Sequence, residues 1–91
     1  MKKGTLVQVS EHLSLQPIET QVGWQIEWST NFGVDGQAAR DRWTRFWSKH
    51  ELCRKNKKQA RYCVHLREAN KVIKEFVLKE KFAEASRKKD A

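Results

Sequence analysis

Four residues in the middle of the chain carry metal-ligand chemistry: His50 and Cys53 stand three apart, and Cys63 and His65 stand two apart. At i and i+3 on a helix end, and at i and i+2 on a strand, each pair projects to one side. Four nitrogen and sulfur ligands can then converge on a tetrahedral zinc. Against this, His50 falls on an apolar helical stripe, Cys63 and His65 alternate with Tyr62, Val64 and Leu66, which need burial of their own, and the spacing matches no familiar finger. His50, Cys53, Cys63 and His65 are therefore read as buried thiols and hydrogen-bonded imidazoles, with no metal and no cofactor.

Other catalytic arrangements are weaker. Gly33 and Gly36 are not followed by Lys-Ser or Lys-Thr, so no phosphate-cradling loop is present, and no Ser, His and Asp set stands at a recognisable spacing. His50 or His65 beside arginines can serve as acid and base in a small nuclease, but nothing distinguishes them from structural histidines. A non-enzymatic protein is expected.

The most concentrated chemistry is cationic. Arg42, Arg45 and Lys49 share one face of a helix at i, i+3 and i+7, and Arg54, Lys55, Lys57, Lys58 and Arg61 follow within a short segment. From Arg40 to Arg61 there are nine basic and two acidic residues, whereas residues 1–35 carry two basic and four acidic ones; the whole chain has a net charge of +8. Phosphates along a nucleic acid are evenly spaced anions. A helix face and loop with cations at this spacing can neutralise several of them and release condensed counterions. The expected function is binding of nucleic acid in a regulatory or accessory role, with duplex DNA ahead of RNA because a rigid cationic helix suits a groove or backbone. The runner-up is an interaction or inhibitor module whose cations rim an acidic surface on another protein. A plain solvated face is the third reading.

Two apolar features bear on partners. Trp24, Trp28, Trp43 and Trp47 fall on faces that their own periodicity assigns to the core, so Phe32, in the loop before the helix, is the better candidate for stacking on a base. Leu78 and Phe82, at i and i+4, project from the last helix opposite its apolar stripe, which suggests a homodimer or a protein partner.

These residues need a scaffold, and 91 residues suffice for one. The expected fold is α+β: antiparallel strands at about 5–9, 13–18 and 21–29, a further strand at 61–66 if that alternation is not helical, and helices at about 36–52 and 68–86 packed on one sheet face. A mostly helical domain with a β-hairpin is the alternative. Val22, Trp24, Ile26 and Trp28 alternate with Gly23, Gln25 and Glu27, the clearest strand signal. Pro17 predicts an edge strand or an interruption. Asp35 is the expected N-cap of the first helix. Ala39, Trp43, Phe46, Trp47 and His50 form one helical stripe, and Ala69, Val72, Ile73, Phe76, Val77 and Ala83 form the other. Residues 1–86 are expected as one compact domain and 87–91 as a frayed basic tail. Met-Lys-Lys is followed by no apolar stretch, no segment has the length of a membrane span, and two cysteines make no disulfide framework, so a cytoplasmic protein with reduced thiols is expected.

Overall fold

The computed structural model describes residues 2–31 and 33–89. Three strands, β1 (Val7–Ser10), β2 (Leu13–Thr20) and β3 (Gly23–Thr30), are followed by helix α1 (Val34–Lys49) and a turn of 3-10 helix (Glu51–Arg54). A short strand β4 (Tyr62–Cys63) then leads into helix α2 (Leu66–Lys89). The strands form one antiparallel sheet in the order β1-β2-β3-β4, so the fold is α+β with its strands grouped at the N-terminus.

The period-2 pattern becomes a two-sided sheet. Leu15 pairs with Trp28, Pro17 with Ile26, and Trp24 with Cys63, and paired residues point to the same side. Leu13, Leu15, Pro17, Ile26 and Cys63 on that side are buried beneath the helices, while Gln25, Glu27 and Ser29 on the other side are exposed. The helices close the core with Ala39, Trp43 and Trp47 from α1 and Ala69, Val72, Ile73 and Phe76 from α2. Trp43 stacks on Trp47 at 6.1 Å and meets Phe76 edge-on at 5.3 Å, geometries that aromatic quadrupoles favour.

Several expectations need correction. β2 is not an edge strand; it lies between β1 and β3. The interruption at Pro17 falls only on the β1 side, where pairing stops at Leu15 and resumes as a single bridge between Lys3 and Ile18. There Gly4 N donates to Pro17 O, and the Gly4 carbonyl, with no N–H available from proline, takes the Gln16 Nε2 donor at 3.0 Å. The helix α1 begins at Val34 with Gly33 as N-cap, and Asp35 lies within the first turn. At Gly36 a Cβ would stand 2.0 Å from the Asn31 carbonyl oxygen, so glycine lets the first helical turn approach the end of β3. α1 ends at Lys49, where His50 turns extended and caps the 3-10 turn. The expected strand at 61–66 shrinks to Tyr62–Cys63, which pairs only with Gln25 and Trp24 before α2 begins at Leu66. Val64 is consequently exposed rather than in the core. α2 runs to Lys89, through the first part of the segment expected to fray, while residues 90 and 91 lie outside the described residues. Among the described residues no helix is long and apolar enough to cross a membrane.

Candidate nucleic-acid interface

The expected cation row on α1 is divided by its neighbours. Arg42 reaches across to α2, where its Nε donates to both carboxylate oxygens of Glu80, at 3.0 and 3.2 Å. Glu80 is largely buried, so Arg42 serves as an interhelical tie. Arg45 and Lys49 are exposed and have no acidic partner among the described residues. Together with Lys79 of α2, whose Nζ lies 5.4 Å from the centre of the Phe46 ring, they border a groove of about 610 Å³ floored by Phe46 and Phe76.

Loop 55–61 has a built framework. Asn56 is buried; its Nδ2 donates to Val22 O at the tip of the β2–β3 hairpin, and its Oδ1 accepts from Lys58 N at 2.9 Å and Gln59 N at 3.3 Å. This side-chain turn both folds the loop and fastens it to the sheet. The fit demands Gly23, since a Cβ there would lie 2.5 Å from Cys63 O and 2.6 Å from Asn56 Nδ2. Gly23 also holds φ +146°, a value that side chains rarely adopt. A second fastening comes from Glu68, whose Oε1 accepts from His65 N at 3.1 Å and whose Oε2 accepts from Lys55 Nζ at 2.8 Å. The first bond is one half of a capping box on α2, and the second ties that helix end to the loop. The Lys55 hydrogen bond holds the Glu68 carboxyl below the ordinary carboxylate range, against the opposing effect of burial.

Lys55 is thus committed to the scaffold, as Arg42 is. Arg54, Lys57, Lys58 and Arg61 are exposed and have no acidic partner among the described residues. Arg61 also sits at φ 71°, the left-handed region that non-glycine residues avoid, with its N–H donating to Cys53 O. The end of the loop, residues 59–61, lies against the C-terminal half of α1, where Arg61 borders a notch with Thr44, Trp47 and Ser48.

The four metal-ligand candidates do not converge. Both ring nitrogens of His50 are engaged: Nδ1 accepts from Leu52 N at 3.1 Å, and Nε2 lies 2.7 Å from Glu75 Oε2. With Nδ1 accepting, the proton of neutral His50 sits on Nε2 and points at Glu75. His65 is exposed at the head of α2, whereas Cys53 and Cys63 are buried free thiols. Burial pushes the Cys63 thiol up to about 12, aided by Glu68 and Cys53, so it stays neutral and a poor ligand or nucleophile. Among the described residues no group of three or more His, Cys, Asp or Glu side chains is arranged to hold a metal.

The aromatic expectation divides as well. Trp43 and Trp47 are core residues, whereas Trp24 is half-buried and Trp28 remains 43% exposed. Arg40 lies over the Trp28 ring, 5.5 Å from its centre. Phe32 lies outside the described residues. Leu78 and Phe82 are exposed on α2, Phe82 at 74%. Sequence reasoning did not find Asn56, Glu68, Lys79, Arg40 or the exposure of Trp28. An Asn among lysines, between a helix and a strand, was the one available signal for the first, because Asn is the side chain that builds such turns.

Comparison of the chain with protein-family models, with curated proteins and with solved structures found no match.

Proposed function

We propose that this chain is a non-enzymatic nucleic-acid-binding protein, regulatory or accessory in role, that holds phosphates with Arg45, Lys49, Arg54, Lys57, Lys58 and Arg61. One observation carries the reading. Six cations within 17 residues lack acidic partners among the described residues, while the two beside them, Arg42 and Lys55, are consumed by fixing their positions. Clustered like charges repel one another and raise the energy of the compact state, so a loop built to hold them together fits a polyanionic partner. The preference for duplex DNA drawn from a three-cation helix row loses its basis with Arg42 tied to Glu80; the remaining cations suit single and double strands alike. Binding of random duplex DNA, single-stranded DNA and RNA oligomers at low and moderate salt tests the reading. Salt-sensitive binding of at least one of them is expected, and no binding at low salt contradicts it.

A second reading rests on α2. Leu78 and Phe82 leave apolar surface in water beside Lys74 and Lys79, which suits either a second copy of this chain or an acidic protein partner that takes Arg45 and Lys49 as its rim.

A further inference from the structure

A notch of about 230 Å³ opens between β3, the C-terminal half of α1 and the end of the basic loop. It lies where the sheet stops short: β4 pairs only with Trp24 and Gln25, so the rest of β3 has no outer neighbour strand among the described residues. Trp28 contributes aromatic surface to its wall, Gln59 and Ser48 contribute hydrogen-bonding groups, and Arg61 contributes a charge, while the paired residues Gln25 and Tyr62, on the other side of the sheet, form its rim.

Trp28 shares the sheet side that the helices cover and pairs with fully buried Leu15, yet it stays 43% exposed. A large ring at that register would ordinarily be roofed by the core. Here Arg40 of α1 lies over the ring, and Trp28 borders an opening that it shares with Thr44, Trp47 and Ser48 of the same helix. The same opening is bordered by Arg61, which sits in a left-handed conformation in a loop whose Lys57 and Lys58 likewise have no acidic partner among the described residues. Aromatic surface, an amide group that matches the edge of a heterocycle and an adjacent row of cations are the three features that hold an unpaired base and its flanking phosphates.

We propose that this notch takes one unpaired nucleobase, stacked against Trp28 and contacted at its edge by Gln59, while Lys57, Lys58 and Arg61 hold the neighbouring phosphates. The proposal rests on the nucleic-acid reading above and narrows it to single-stranded or locally opened strands. A duplex keeps its bases stacked inside and offers the notch nothing.

The test compares two strands of equal charge: a labelled single-stranded oligonucleotide of about 12 nucleotides, and an oligomer of the same length made of abasic sugars. The wild type should bind the base-containing strand about five- to 150-fold more tightly, the range that one stacked base supplies. Trp28→Leu should erase that difference and leave binding of the abasic strand unchanged, whereas Trp28→Phe should retain most of it. Ser48→Leu provides an independent plug, because Ser48 is exposed and changing it leaves the core intact; it should erase the difference too, and it decides the matter if Trp28→Leu fails to fold. Equal binding of the two strands by the wild type, or an undiminished preference in folded Trp28→Leu or in Ser48→Leu, would overturn the notch and leave phosphate binding standing. Failure of the wild type to bind either strand at low salt would overturn both.

Discussion

Arg42 and Arg45 are one turn apart on the same helix and chemically identical, yet one is built into the seam between α1 and α2 while the other has no acidic partner among the described residues. The seam and the loop differ in the same way. Across the seam, α2 supplies Glu75 to His50 and Glu80 to Arg42, and these pairs fasten the two helices. In the loop, Glu68 matches Lys55 alone, and the four cations around it have no such partner among the described residues. A cation that is paired and half-buried stabilises a contact, whereas one that is exposed and surrounded by its own kind raises the local potential. Charge counting along the chain treats both alike.

The largest expected effect lies outside both regions, on the exposed side of α2. If Leu78 and Phe82 meet a second copy, each forfeits roughly 1.5–3 kcal/mol of burial when replaced. Leu78→Lys with Phe82→Lys should then weaken self-association by a hundredfold or more in sedimentation experiments. A wild type that stays monomeric at all concentrations contradicts the dimer and leaves the pair as a candidate contact for a different protein.

Next is the clamp. Asn56→Ala removes three hydrogen bonds from a buried position and leaves Val22 O without its side-chain donor, so a loss of about 1–3 kcal/mol is expected. At this chain length that corresponds to a fall in Tm of roughly 4–8 °C for each kcal/mol. An unchanged melting curve would show that the loop is not fastened there.

Glu68→Gln should cost about 1 kcal/mol through the weakened helix cap and the lost charge on the Lys55 bond. Its pH signature is specific. Because the carboxyl titrates below its ordinary value of 4.5 in the fold, its contribution is complete above that value and is lost as pH falls through the lower, folded one. The substitution should therefore flatten the acid limb of the stability curve and leave its shape near neutrality unchanged. Urea unfolding at a series of pH values measures this.

Arg42→Ala should have the smallest effect, about 1 kcal/mol, since the Arg42 side chain is 41% exposed and screened, although it leaves the largely buried Glu80 carboxylate without its partner. Denaturant titration measures the stability change, and binding of nucleic acid should be nearly unaffected.

The fold was legible where one periodicity ran long enough to choose a face. Trp24 to Trp28 and Ala69 to Phe76 each repeat over two or more periods, and both lie in the expected element and on the expected side, whereas Val22, the first residue of the alternation, falls at the exposed hairpin tip. β4 was not, because two residues cannot show a period, and its strand character comes from pairing with Trp24 and Gln25. The site was legible in composition and illegible in commitment. Arg42 and Glu80 are 38 residues apart and Lys55 and Glu68 are 13 apart, so only the packing of α2 against α1 and the loop reveals which cations are occupied. Trp28 failed for a related reason. Alternation assigns a residue to a side of the sheet, but whether a helix covers that part of the side depends on where α1 crosses it.

The division between occupied and exposed cations is tested most directly by the salt dependence of binding. Each phosphate contact to duplex DNA contributes about 0.9 to the slope of log K against log salt, and each contact to a single strand about 0.7. Replacing Arg54, Lys57 and Lys58 with Ala should lower the slope by about two to three units while the protein remains folded. Replacing Arg42 and Lys55 should lower stability and leave the slope unchanged. Equal losses of slope in the two variants would contradict the division, and so would an unchanged slope in the first.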